Sequence, residues 1–204
     1  MPTGERRPAR AALIWGLLTA VIVIPIAASF TSPFLEWRGP VYIGAGVAGM
    51  IALGLLLVQP ALMAGYLPGL TAMQARRVHR WVGGAIVIAL LLHVAGLWVT
   101  SPPDMADALL FRSPTPFSPF GVVAMWAVLA VAVLAAVRRK LGLRTWRIAH
   151  MSLAAVIVVG SAVHAMLVEG TMETMTKAAL CALVLAATVK VIVDVGLRNK
   201  KPAR

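Results

Sequence analysis

Six long apolar runs dominate this chain of 204 residues and restrict its fold more than any other feature. With 60% hydrophobic and 13% charged residues, its composition is typical of an integral membrane protein and excludes a soluble domain. Because lipid offers no hydrogen-bond partners, each backbone polar group in a span must be satisfied within its own segment. The runs are also too long for barrel strands. We therefore predict an all-α fold, a polytopic bundle of six transmembrane helices.

The predicted helices follow the apolar runs and end at Pro, Gly or charged residues. They are placed at residues 11–30, 41–65, 79–99, 119–137, 148–168 and 174–197. The first run has a segment that resembles a signal-peptide cleavage site, but it is longer than a usual signal core and is kept as a membrane helix. The connection from 100 to 118 is predicted to be a surface loop with a short amphipathic turn. Residues 1–204 are expected to form a single domain.

The basic residues are distributed unevenly between the two ends of the spans, and this predicts the orientation. With a cytoplasmic N-terminus, fifteen Lys and Arg residues fall on cytoplasmic segments and three on outer segments. The fifteen are Arg6, Arg7, Arg10, Arg76, Arg77, Arg80, Arg138, Arg139, Lys140, Arg144, Arg147, Arg198, Lys200, Lys201 and Arg204, and the three are Arg38, Arg112 and Lys177. We predict cytoplasmic termini in a bacterial-type inner membrane. The net charge of +12 then reflects these loops and anionic lipid, and no nucleic-acid partner is expected.

All four histidines of the chain belong to two pairs with the same spacing. Fourteen positions separate His79 from His93, and fourteen separate His150 from His164. On an α-helix this spacing turns through about 1400°, close to four full turns, so both rings leave one face about 21 Å apart. The third and fifth spans run in the same direction. If they are neighbours, His79 faces His150 at the inner level and His93 faces His164 at the outer level.

Ionisable residues at membrane depth are rare and indicate a functional site. Two imidazoles per level, with no carboxylate or thiolate at that depth, are too few for a zinc site and lack the acids of a proton relay. They suit haem iron, for which the porphyrin supplies four nitrogens and the protein needs to supply only axial ligands. The single Cys181 excludes a C-x-x-C-H attachment, so the haem would be non-covalent, hence b-type. We predict two bis-His haem b groups.

Five further residues are candidates for haem contacts. Gly83 and Gly160 each lie one turn from a ligand histidine, where a missing side chain would let the macrocycle approach the backbone. Ordinary helix contact is the alternative role for such small residues. Arg80 and Arg147 at the inner level, and Arg38 at the outer level, could pair with propionates, because guanidinium binds carboxylate bidentately. The positive-inside bias alone also accounts for the inner arginines.

Two segments, RRVHRWVG-(8)-LH and LGLRTWRIAH-(13)-HAMLVEG, resemble the ferric reductase-like transmembrane domain superfamily. That superfamily includes NADPH oxidases, iron and copper reductases, and MsrQ-like haem proteins. The resemblance covers roughly residues 40–195 and implies two b haems stacked across a six-helix bundle. By position it implies that His79 pairs with His150 and His93 with His164. MsrQ-like members tend to lack the first histidine of the third helix, whereas this chain has His79.

These observations predict transmembrane electron transfer from a separate cytoplasmic flavoprotein or a membrane quinol to an acceptor on the outer face. A metal chelate, oxygen or a periplasmic redox protein could be the acceptor. No FAD or nicotinamide domain is expected within the chain, which would then be the electron-transfer subunit of an oxidoreductase. One alternative is an MsrQ-like subunit that serves a periplasmic methionine sulfoxide reductase. Others are a non-haem histidine-based metal or proton transporter, and a structural subunit in which the histidines only pack.

Overall fold

The computed structural model describes the backbone of residues 6–200 and the side chains of residues 8–194. This part of the chain forms α1 (Arg6–Ser29), α2 (Pro40–Ala64), α3 (Ala72–Thr100), α4 (Pro102–Leu109), α5 (Ser118–Ala136), α6 (Leu143–Leu167) and α7 (Thr174–Lys200), with 3-10 turns at Pro33–Leu35 and Arg138–Lys140. Every helix except α4 contains a stretch that is long and apolar enough to cross a membrane. The predicted six-span helical fold is confirmed, and the chain is a multi-pass membrane protein. The orientation of the chain in the membrane remains a prediction. Six of the basic residues on which it rests have side chains outside the described residues, namely Arg6, Arg7, Arg198, Lys200, Lys201 and Arg204.

Three helices begin five or more residues earlier than the apolar pattern predicts, namely α1 at Arg6, α3 at Ala72 and α6 at Leu143. Helix α3 begins at Ala72 because Thr71 and Gln74 form a capping box, in which each side chain bonds the backbone N–H of the other residue. Helix α6 begins at Leu143 and likewise extends through basic residues before the apolar run. As a result His79 and His150 each lie about two turns inside their helices rather than near the first residue.

The bundle is built from two antiparallel helix pairs. Helix α2 packs along α3, and α5 packs along α6, while α7 lies against both α2 and α6 and so joins the pairs. The most deeply buried side chains, Leu180 and Val184, are on α7 and are fully enclosed. Among the described residues, the backbones of α3 and α6 come close at few points. His79 of α3 and His150 of α6 nevertheless approach each other through their side chains.

Three connections fix the ends of these elements. Gly65 ends α2 in the left-handed conformation, with φ of 72°, and lets the chain turn towards α3. Pro119 lies in the first turn of α5, as predicted. The segment predicted as a loop with a short turn contains a regular helix, α4, whose first turn holds a contact between Ser101 and Asp104.

Candidate functional site

The structure brings His79 and His150 together near one end of the bundle. Their ring centroids lie 6.1 Å apart, and the ring planes meet at 62°. The side-chain amide of Gln59, on α2, contacts His79 Nδ1 and also lies 3.0 Å from the backbone nitrogen of Gly83. The amide oxygen accepts from Gly83 N–H, so the amide nitrogen faces His79 Nδ1 and donates to it. Gln59 thus orients His79 from the neighbouring helix.

His150 is held differently, by an aromatic neighbour on its own helix. The Trp146 ring stacks on the His150 ring with centroids 5.0 Å apart and planes 14° from parallel. The Arg138 guanidinium also lies over the Trp146 ring, 4.8 Å from its centroid. In the part of the chain that the structure describes, neither His150 Nδ1 nor Trp146 Nε1 has a hydrogen-bond partner, although both atoms are buried.

His93 and His164 form the second level, where both rings are held by backbone carbonyls. His93 Nδ1 lies 2.8 Å from the Ala45 oxygen, and His164 Nδ1 lies 3.0 Å from the Phe117 oxygen. Because a carbonyl can only accept, each Nδ1 must carry the proton and donate it. The lone pair of a neutral ring is then on Nε2, which is the arrangement usual in metal-binding histidines.

A glycine lies beneath each ring of the second level. A Cβ on Gly49 would come within 2.8 Å of His93 Nδ1, and a Cβ on Gly121 within 2.6 Å of His164 Nδ1. In each helix pair this glycine lies four residues after the carbonyl that accepts from the histidine. The two pairs therefore use the same local arrangement of one carbonyl and one glycine to place a histidine.

The sequence alone did not identify four residues that contact the histidines, namely Gly49, Gln59, Gly121 and Trp146. In each helix pair, four residues separate the carbonyl residue from the glycine. This interval can be recognised in the sequence only when it is known that α2 pairs with α3 and α5 with α6. A glutamine in the middle of a long apolar run was the one available signal for Gln59.

The remaining predicted site residues are not all brought to the histidines. Gly160 is buried against α5, where a Cβ would lie 3.1 Å from both the Ala124 side chain and a backbone oxygen, so it packs helices instead of facing a cofactor. A Cβ on Gly83 would meet only the Gln59 amide, at 3.3 Å. Arg38 is exposed, and its guanidinium stacks over Tyr42 at 4.6 Å.

Arg80 and Arg147 are both exposed and lie one and three residues from a histidine of the first level. They stay candidates for charge contacts at that end of the bundle.

The sequence of this helical bundle matches one known protein family. The model for the ferric reductase-like transmembrane component matches residues 44–161. The chain belongs to this family. The matched region contains His79, His93 and His150 and ends three residues before His164. Neither the curated proteins nor the solved structures contain a match to the chain.

Ferric reductase-like domains commonly bind haem, and membership supports a role in transmembrane electron transfer. The donor set of this member fits such a group at the first level. Two imidazoles on opposite sides of one metal ion would have ring centres roughly 6.2 Å apart, from a metal–nitrogen bond of about 2.0 Å and about 1.1 Å from nitrogen to ring centre on each side. The 6.1 Å between the His79 and His150 centroids agrees with this value.

The ferric reductase-like bundle separates its two histidine levels by apolar side chains. Ile86 lies seven residues from both histidines of α3, and Ile157 lies seven residues from both histidines of α6. Both isoleucines are 6% exposed and belong to one core cluster with residues of α2, α5 and α7. No group of three or more His, Cys, Asp or Glu side chains within metal-binding reach occurs among the described residues. Buried apolar side chains therefore lie between the two histidine levels.

Proposed function

We propose that this protein is a diheme b-type electron carrier of the membrane. The observation that carries the proposal is the facing pair of His79 and His150, 6.1 Å apart, on two helices that each hold a second histidine fourteen positions later. At each level the two imidazoles would hold the haem iron. Haem, when bound, supplies an iron that gains and loses one electron, and a site filled by two protein ligands would favour electron transfer over oxygen binding.

The residues of the chain position the ligands and, at the second level, keep them in the metal-binding tautomer. There His93 and His164 donate from Nδ1 to the carbonyls of Ala45 and Phe117, which leaves Nε2 available for the metal. At the first level the contact of Gln59 with His79 restricts the orientation of the ring. Arg80 and Arg147 are proposed to pair with propionates at that end, because their exposed guanidinium groups can bind carboxylates.

In the proposed orientation both termini are cytoplasmic, and the His79–His150 level is the inner one. A separate flavoprotein or a membrane quinol donates the electron there, and an acceptor on the outer face takes it from the His93–His164 level. A metal chelate, oxygen or a periplasmic redox protein would suit as acceptor. The proposal treats residues 1–204 as one transmembrane domain in a bacterial-type inner membrane. Its support is the bias of basic residues towards one end.

The test is a reduced-minus-oxidised absorption spectrum of the purified chain together with its haem-to-protein ratio. Two low-spin b haems per chain are expected. Replacing His93 or His164 with Ala should remove one haem and leave the other, and replacing His79 or His150 should remove the other one. A colourless protein that cannot be reconstituted with haem would refute the proposal and leave the histidine-based transporter as the better explanation.

A single haem per chain would also contradict the diheme proposal. If His93→Ala and His164→Ala then lowered the haem content while His79→Ala left it unchanged, the first level would be the empty one and the result would favour the MsrQ-like alternative. In that case a periplasmic methionine sulfoxide reductase should be tested as the electron acceptor.

A further inference from the structure

His150 is the exception among the four histidines. The Nδ1 atoms of the other three each contact a polar group, namely the Gln59 amide, the Ala45 carbonyl or the Phe117 carbonyl. His150 Nδ1 is buried and, within the described residues, has no such partner. A buried ring nitrogen without a partner is unusual and calls for another source of orientation.

The matching arrangement of the two helix pairs explains the missing partner. Gln59 lies fourteen residues after Ala45, the carbonyl residue of its pair, so it reaches the histidine fourteen positions before His93. The residue fourteen positions after Phe117 is Val131, which packs against the hydrophobic core. The valine side chain has no polar atom, so α5 does not supply a hydrogen-bond partner for His150 as α2 does for His79 through Gln59.

Trp146 is the residue that contacts the His150 ring instead. It lies one helical turn before His150 and stacks on it, almost in parallel, at 5.0 Å. The turn Arg138–Lys140 brings the Arg138 guanidinium over the indole ring, 4.8 Å from its centroid. We propose that Trp146 is a positioning residue for His150 and fixes its ring plane by stacking in place of a hydrogen bond.

This inference rests on the proposed function, in which His150 is an axial ligand, and it has spectroscopic consequences. The angle between two axial imidazole planes sets the anisotropy of the low-spin ferric EPR signal, and here the His79 and His150 planes meet at 62°. An imidazole that gains a hydrogen bond at Nδ1 also becomes a stronger donor to iron. Removing the indole ring would free the plane of His150 and admit water to Nδ1, so the midpoint potential of that haem should fall.

The experiment compares four single variants of the full-length protein in detergent. Trp146→Phe keeps a stacking ring, whereas Trp146→Ala and Trp146→Leu remove it. Trp126→Ala is the matched control, because Trp126 is an exposed tryptophan in the middle of α5. For each variant, the EPR spectrum, the midpoint potentials of both haems and the rate of haem loss to an apoprotein acceptor are measured.

Trp146→Ala and Trp146→Leu should change one EPR signal, lower one midpoint potential and lose one haem roughly two- to tenfold faster, the range expected for an aromatic pair. Trp146→Phe and Trp126→Ala should match the wild type. The inference is overturned if the variants without a ring match the wild type, if Trp146→Phe behaves as they do, or if Trp126→Ala causes the same change. Use of two variants without a ring guards against one that fails to fold. A wild-type protein without haem would instead overturn the proposed function itself.

Discussion

Gly121→Ala should displace His164 and empty the second histidine level. The added Cβ would lie 2.6 Å from His164 Nδ1, 2.8 Å from Cε1 and 3.2 Å from Cγ, so the whole ring obstructs it. Ordinary contacts begin at about 3.5 Å, and the ring must therefore move by roughly 0.9 Å or the helices must separate. Such a shift stretches the 3.0 Å bond from His164 Nδ1 to the Phe117 carbonyl beyond hydrogen-bonding distance.

The free-energy cost of Gly121→Ala has two contributions, which are not fully independent. Inserting a methyl group into a packed contact costs about 1–3 kcal/mol, and leaving a buried donor without its acceptor costs about 1–3 kcal/mol. Taking about 2–4 kcal/mol for the sum, the affinity of the second level for its cofactor should fall by roughly 30- to 700-fold. Gly49→Ala should act similarly, because its Cβ would meet His93 Nδ1 at 2.8 Å.

The assay is the haem-to-protein ratio and the absorption spectrum of the purified variants, followed by titration with added haem. Gly44→Ala is the control within α2, since Gly44 is exposed and a Cβ there would meet nothing within 4 Å. It should retain wild-type haem content and gain slightly in helix stability. If Gly121→Ala keeps two haems with wild-type affinity, the glycine does not set the position of His164.

Three further predictions concern other parts of the structure. Gln59→Leu should lower haem retention at the His79–His150 level alone, because His79 Nδ1 loses a contact worth about 1–3 kcal/mol, and the haem-to-protein ratio of the variant measures this. Thr71→Ala should destabilise the protein by about 1 kcal/mol through loss of the α3 cap, seen as a lower thermal midpoint with an unchanged spectrum. The backbone N–H groups of Met175 and Thr176 bond the Glu173 carboxylate and lower its pKa. Its capping contribution is therefore complete above the ordinary glutamate pKa of about 4.3 and is lost as the pH falls through the lower folded value. Thermal melts of wild type and Glu173→Gln across that range should converge at acid pH.

Each of these has a clear contrary result. Gln59→Leu with both haems fully retained would show that the amide contact does not support His79. A spectral change in Thr71→Ala would mean that the start of α3 is coupled to the histidines. Parallel melting curves for wild type and Glu173→Gln at every pH would show that the carboxylate makes no pH-dependent contribution.

The sequence predicted the features that depend on periodicity along a single helix. Six spans follow from the apolar runs, and the interval of fourteen residues places His79 and His93 on one face of α3. The start of α3 was missed because Arg76 and Arg77 interrupt the apolar pattern before His79. The backbone instead continues the helix through a basic stretch that is stabilised by the Thr71 capping box.

Features that depend on contacts between helices were not predictable in the same way. Gly160 carried the expected signature of a cofactor contact, a glycine one turn from His164, yet it faces the Ala124 side chain on α5. Gly121 is not close to a histidine in the sequence, yet it limits where the His164 ring can lie. A single sequence gives the face of each helix but not the rotation of one helix against another. That rotation decides which glycine touches a histidine.

The isoleucine layer between the two histidine levels bears on the energetics of the membrane as a whole. Ile86 and Ile157 keep the middle of the bundle apolar. In the proposed diheme carrier, an electron that passes between the levels would therefore not be accompanied there by a compensating proton. The levels would be about 21 Å apart in a hydrocarbon layer about 30 Å thick, so the charge would cross roughly two thirds of the transmembrane field. Each transfer in the proposed outward direction would then be electrogenic and favoured by about 1.5 kcal/mol for every 100 mV of inside-negative voltage.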